Sequence, residues 1–162
     1  MRRWIMRLGW ATTIAVLLPL AAAAVDVIPQ IVLNEVELNP AGRDAGAEWV
    51  EILNLGESAI DLAGWTVTYT YRSVGALVIS EEPLKLGPGE RYVFVYPQLM
   101  LRNAEDTVIE LRAPGGEIID KTSPFRDEAN DSRTWQRYPD GGDPLFPDTW
   151  LFGDSTRGRP NE

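Results

Sequence analysis

The sequence predicts an all-β sandwich, and three observations point there. Short apolar runs recur from Ile31 onward, separated by clusters of Pro, Gly, Asn and Asp. No stretch after the N-terminus sustains the 3.6-residue apolar period of a helix. Residues 65–71 alternate cleanly, with Trp65, Val67, Tyr69 and Tyr71 on one side and Thr66, Thr68 and Thr70 on the other. That is a strand with one aromatic, buried face and one hydroxyl face that water can wet.

The elements follow in order. Residues 31–38 read as the first strand and 49–55 as the second, which Gly56 ends. Between them, Asn39-Pro40-Ala41-Gly42 and Asp44-Ala45-Gly46 are loop chemistry, because Pro fixes one backbone angle and Gly permits positive φ. The alternating strand at 65–71 is followed by a short one at 77–80. Leu86-Gly87-Pro88-Gly89 then turns the chain into residues 91–96, where Val93 and Val95 oppose Tyr92, Phe94 and Tyr96. A strand apolar on both faces is expected at the centre of its sheet or under a loop. Residues 106–112 and 117–120 flank Pro114-Gly115-Gly116 as a hairpin. Residues 134–138 and 149–152 close the domain across Pro139-Asp140-Gly141-Gly142-Asp143-Pro144. Strands this short, spaced by turns, are the pattern of a sandwich.

The first 24 residues stand apart. Arg2, Arg3 and Arg7 make a positive start, residues 8–20 are apolar, and Ala21 to Ala24 supply small residues for cleavage. That is the layout of a secretory signal peptide on a helix, residues 1–24, ahead of one domain over 25–162. The alternative is an uncleaved anchor, since residues 8–25 form a charge-free run of 18 residues, about the minimum for a bilayer span. Either way the domain is expected outside the cytoplasm, secreted or at the cell surface, with membrane contact only through an uncleaved leader. The chain has no cysteine, so the core must hold without disulfides.

Charge and missing residue types narrow the function. The leader holds three of the 15 basic residues and none of the 24 acidic ones, leaving 12 against 24, a net of −12. Such a surface repels phosphate backbones and disfavours direct nucleic-acid binding. With no histidine and no cysteine, Ser-His-Asp and Cys-His catalysis and imidazole or thiolate zinc sites are excluded. Only carboxylate chemistry such as glycoside hydrolysis survives, and it needs two carboxyls facing across a cleft.

Several phrases occur together in a recognisable order. Ile31-Val32-Leu33-Asn34-Glu35-Val36 is followed by Asn39-Pro40 and by Glu48-Trp49-Val50-Glu51-Ile52-Leu53-Asn54. Then come Ile60-Asp61-Leu62-Ala63-Gly64-Trp65-Thr66-Val67 and Leu86-Gly87-Pro88-Gly89. Thr134-Trp135-Gln136-Arg137, Pro139-Asp140-Gly141 and Thr156-Arg157-Gly158-Arg159-Pro160-Asn161 complete the set. Together they resemble the exported prokaryotic form of the lamin tail domain, from Ile31 to Asn161. The resemblance implies an immunoglobulin-like β-sandwich that serves as an interaction module, without a catalytic signature and without a required cofactor. In prokaryotes such domains often accompany surface nucleases or hydrolases. Arg157 departs from the family's usual proline, which is expected to loosen the end of the domain.

The expected function is therefore a non-catalytic binding or scaffolding module with a protein or cell-envelope partner. The alternative is a carboxylate-based hydrolase or an accessory to a surface nuclease. Trp49, Trp65 and Trp135 are expected as core anchors, while Trp150 has the best claim to exposure. Glu51 is expected half-buried in an ion pair with Arg137. Asp127, Glu128, Asn130 and Asp131 form the densest oxygen cluster and the candidate calcium site, although they lack the EF-hand spacing.

Overall fold

The structure, a computed structural model, describes residues 30–143, 146 and 149–162. The signal segment expected over residues 1–24 lies outside the described residues. Among the described residues every regular element is a strand.

The main sheet joins β1 (Ile31–Glu37), β2 (Trp49–Asn54), β7 (Arg91–Val95), β10 (Arg133–Arg137) and β11 (Trp150–Asp154), in the order β11-β10-β1-β2-β7. The second sheet joins β4 (Thr66–Thr70), β5 (Val74–Val78), β8 (Val108–Arg112) and β9 (Ile118–Lys121), in the order β5-β4-β8-β9. Every ladder in both is antiparallel. A two-stranded ribbon, β3 (Ile60–Asp61) with β6 (Lys85–Leu86), closes one side.

Strand alternation decides what lies between the sheets. Leu33, Val36, Val50, Ile52 and Phe94 point inward from the main sheet and meet Val67, Ile109 and Leu111 from the second. Trp65 joins them at 7% exposure, as expected for a core anchor. Opposite Tyr69 in the register stands Gly75, where even a methyl group would meet the tyrosine ring at 2.1 Å. The ring lies across the neighbouring strand, and only glycine leaves room for it.

Four expectations need correction. The strand at 91–96 is an edge strand; its apolar outer side leaves Val95 exposed. The short strand expected at 77–80 forms earlier, as β5. Trp49 is buried but outside the core: it faces outward beneath the Arg157 guanidinium, 5.0 Å from the ring centre. Trp150 is half-buried and packs edge-on against Phe125, with Arg137 over its face at 4.9 Å. Trp135 stacks flat on Phe125 at 4.8 Å and borders the core.

Candidate functional site

A β-bulge between Leu33 and Glu35 shifts the register of β1 against β2. Beyond it, Glu35 stands beside Glu51 and Gln136 on the outer face of the main sheet. Both glutamates are wholly buried, because residues 155–161 lie across that face as a strap. Glu35 accepts from Thr134 Oγ1 (2.6 Å), Ser155 Oγ (2.9 Å), Thr156 N (2.9 Å) and Thr156 Oγ1 (3.0 Å). Glu51 accepts from Asn34 Nδ2 (3.0 Å) and Gly158 N (2.7 Å), with Arg91 Nε at 3.4 Å.

Asp140 completes this clasp. It pairs with Arg91 and accepts from Asn34 Nδ2 and Asn161 N, both at 3.0 Å. Asn161 in turn donates to the carbonyls of Asn34 (3.0 Å) and Arg137 (2.8 Å). Gly141 donates its N–H to Asn34 Oδ1 at 2.8 Å from a backbone with φ of 78°. A side chain there would be strained and would meet Leu55 at 2.6 Å. Burial pushes the Glu51 carboxyl above its ordinary range, and the Asn34 and Gly158 donors pull it back down.

The ion pair expected between Glu51 and Arg137 is not formed. Arg137 points into the sandwich and Glu51 points away from it, so the sheet separates them. Arg137 instead donates to Asp120 on β9 at 2.8 Å, with both side chains buried. Asp120 also accepts from Leu33 N at 2.8 Å, linking the two sheets at the bulge. Burial raises the Asp120 carboxyl while Arg137 opposes the rise.

Two further glutamates are buried at the other end of the main sheet. Glu48 accepts the Met100 and Leu101 amides at 2.8 and 3.1 Å, pinning the loop after β7. Burial pushes its carboxyl up to about 7, against the pull of those two amides. Glu37 accepts from Asn39 N at 3.3 Å, and burial likewise pushes it up to about 7.

The expected calcium quartet is not assembled. Asn130 Oδ1 accepts from Gly42 N at 2.9 Å, Asp131 is paired with Arg133 at 2.8 Å, and Glu128 is exposed. Local turns have taken up those oxygens. Asp127 differs, because its side chain turns inward and is 4% exposed. Among the described residues no three acidic side chains converge to hold a metal by carboxylates.

Hollows open on the surface among the described residues. One, of about 320 Å³, is lined by Asp44, Leu99, Leu101 and residues 102–105. Its two acids are already engaged: Asp44 accepts from Asn103 Nδ2 at 3.1 Å, and Glu105 pairs with Arg72 at 2.8 Å. Another, of about 330 Å³, lies between β11 and the strap, with Asp154 and Glu162 on its wall.

The family model of the lamin tail domain matches residues 25–125, a span from β1 to just beyond β9. The chain belongs to the lamin tail domain family. No curated protein matches the chain. The matched part of this lamin tail domain supplies Asn34, Glu35 and Glu51, the acceptors and amide at the centre of the clasp. Their partners Thr134, Asp140, Thr156 and Asn161 all lie beyond it, in β10, the following turn and the strap. Sequence reasoning singled out Glu51 but assigned it the wrong partner, and it gave Glu35 no role. It missed Asp120, whose place between the sheets shows only in its pairing opposite Leu111.

Proposed function

We propose that this lamin tail domain is an exported, non-catalytic binding or scaffolding module that engages a protein or cell-envelope component. One observation carries the reading: the carboxylates concentrated by its motifs are buried on the outer face of the main sheet, where they brace the chain's own terminal strap. Glu35 and Glu51 are closed off from solvent and saturated by donors, a poor arrangement for an acid and base facing a substrate. The leader-like start supports export, and the net charge of −12 outside it argues against a nucleic-acid partner.

A protein partner is favoured by β5, an open edge of the second sheet. Val74 is 73% exposed there and Val78 39%, with Ala76 exposed between them. A free edge with uncharged side chains invites an added strand.

The test is capture from the producing cell's envelope, followed by a binding titration with the captured component. The expected result is a retained envelope protein whose affinity falls at least tenfold with V74K/V78K. Hydrolysis of envelope polysaccharide or of DNA by the purified chain would refute the reading.

A further inference from the structure

We propose that Glu37 and Asp127, together with the side-chain oxygen of Asn103, bind one calcium ion where the end of β1 meets the loop after β9. The three residues meet at Asn39, Glu37 and Asn103 through their side chains and Asp127 through its backbone carbonyl. Its backbone N–H donates to Glu37, its Nδ2 donates to the Asp127 carbonyl at 2.9 Å, and its Oδ1 accepts from Asn103 Nδ2 at 2.8 Å. Asp127 N closes the circle by donating to the Asn103 carbonyl at 2.9 Å.

Inside that circle, acceptors outnumber donors. Glu37 and Asp127 are each only 4% exposed and bear on one another electrostatically. Among the described residues neither has a guanidinium or ammonium within ion-pair distance; Arg133, the cation that acts on Asp127, is held by Asp131 at 2.8 Å. Asp127 Oδ1 caps Ala129 N at 2.8 Å, whereas Oδ2 is buried without a partner. Asn103 Oδ1 is buried without a partner as well. Two orphaned oxygens beside a second buried carboxylate leave the charge to be offset by a proton or by a bound cation, since buried unpaired carboxylates are costly, and the unpartnered oxygens favour the cation.

The donor set selects the ion. It is all oxygen, two carboxylates and one amide, which suits a hard cation, and the chain has no histidine or cysteine for a softer one. Calcium accepts an irregular shell completed by water, while magnesium demands a near-ideal octahedron. The site differs from the quartet suggested by sequence, sharing only Asp127 with it.

Calorimetric titration of calcium into the chelator-treated full-length chain, with thermal melting alongside, tests the proposal. One ion per chain is expected, with Kd of about 10⁻⁴–10⁻³ M, the range of extracellular calcium modules. Millimolar calcium should then raise Tm by about 2–5 °C. Asp127→Asn can still cap Ala129, and Glu37→Gln can still accept from Asn39, so both variants are expected to fold. Each should weaken calcium at least tenfold, while Glu128→Gln should leave it unchanged. Absence of both heat and melting shift in the unaltered chain, or full calcium affinity in Asp127→Asn, would overturn the assignment.

Discussion

Glu35 has no exposed surface and four donor contacts, so its role is that of a fixed acceptor. An amide cannot replace it, because one of its two polar ends would present N–H groups to the donors already there. Glu35→Gln should therefore destabilise the fold by about 2–4 kcal/mol in denaturant unfolding. Arg137 makes a stricter case. Arg137→Met leaves the Asp120 carboxylate buried between the sheets, at a cost of about 3–5 kcal/mol. Adding Asp120→Asn should recover part of that loss, since it removes the stranded charge. If the double variant is no more stable than the single one, the pair is not what matters at this position.

Glu48 gives the residue-scale pH dependence. Burial pushes its carboxyl up to about 7 in the folded chain against an ordinary 4.5, so the folded state holds the extra proton between those pH values. Stability from this group is fully present below about pH 4.5 and is lost as pH rises through about 7, a change on the order of 3 kcal/mol. Glu37 acts with the same sign. Melting curves from about pH 5 to pH 8, taken in chelator, should show Tm falling with pH, and Glu48→Gln should flatten the slope. A slope unchanged in that variant would remove Glu48 from the account.

At the scale of elements, the strap is the decisive piece. Thr156, Gly158 and Asn161 together cover Glu35, Glu51 and Asp140 on the outer face of the main sheet. Deleting residues 155–162 would open two wholly buried carboxylates to water while stripping their donors. The truncated chain should melt at least ~10 °C lower by circular dichroism, or fail to fold. Little loss would mean that the sheet is stable without its cover.

Much of this architecture was legible beforehand, for identifiable reasons. Alternation placed Val67 and Tyr69 inward because a strand offers only two faces. The same rule could not see the bulge at Leu33–Glu35, which moves Glu35 into line with Glu51 and Gln136. Nor could it tell that residues 91–95 sit at an edge, because apolarity on both sides does not say whether anything covers the outer one. Trp49 shows the same limit: its ring lies on the outer face beneath Arg157, the position whose departure from the family pattern suggested a looser end. The charged residues were found as types and mispaired as partners. Which guanidinium meets which carboxylate depends on the sheet face each occupies, and that needs the register.

For the whole molecule, the balance of charge decides how salt acts. The chain carries 24 acidic against 15 basic residues, and four of its ion pairs involve side chains at least one-fifth exposed: Arg72–Glu105, Arg112–Glu110, Arg126–Asp106 and Arg133–Asp131. Exposed pairs contribute about 0–1 kcal/mol each and weaken with salt. Against them stands repulsion among the unpaired surface acids, which the compact state brings closer together and salt relieves. The clasp and the Arg137–Asp120 pair are buried and respond little to screening. Because unpaired acids outnumber the exposed pairs, relief of repulsion should win. Raising sodium chloride from about 10 to 150 mM shortens the screening length from about 30 to 8 Å, and Tm should rise by a few degrees. A fall in Tm over that range would show that the exposed pairs dominate, and the surface would then have to be described as a braced network of opposite charges.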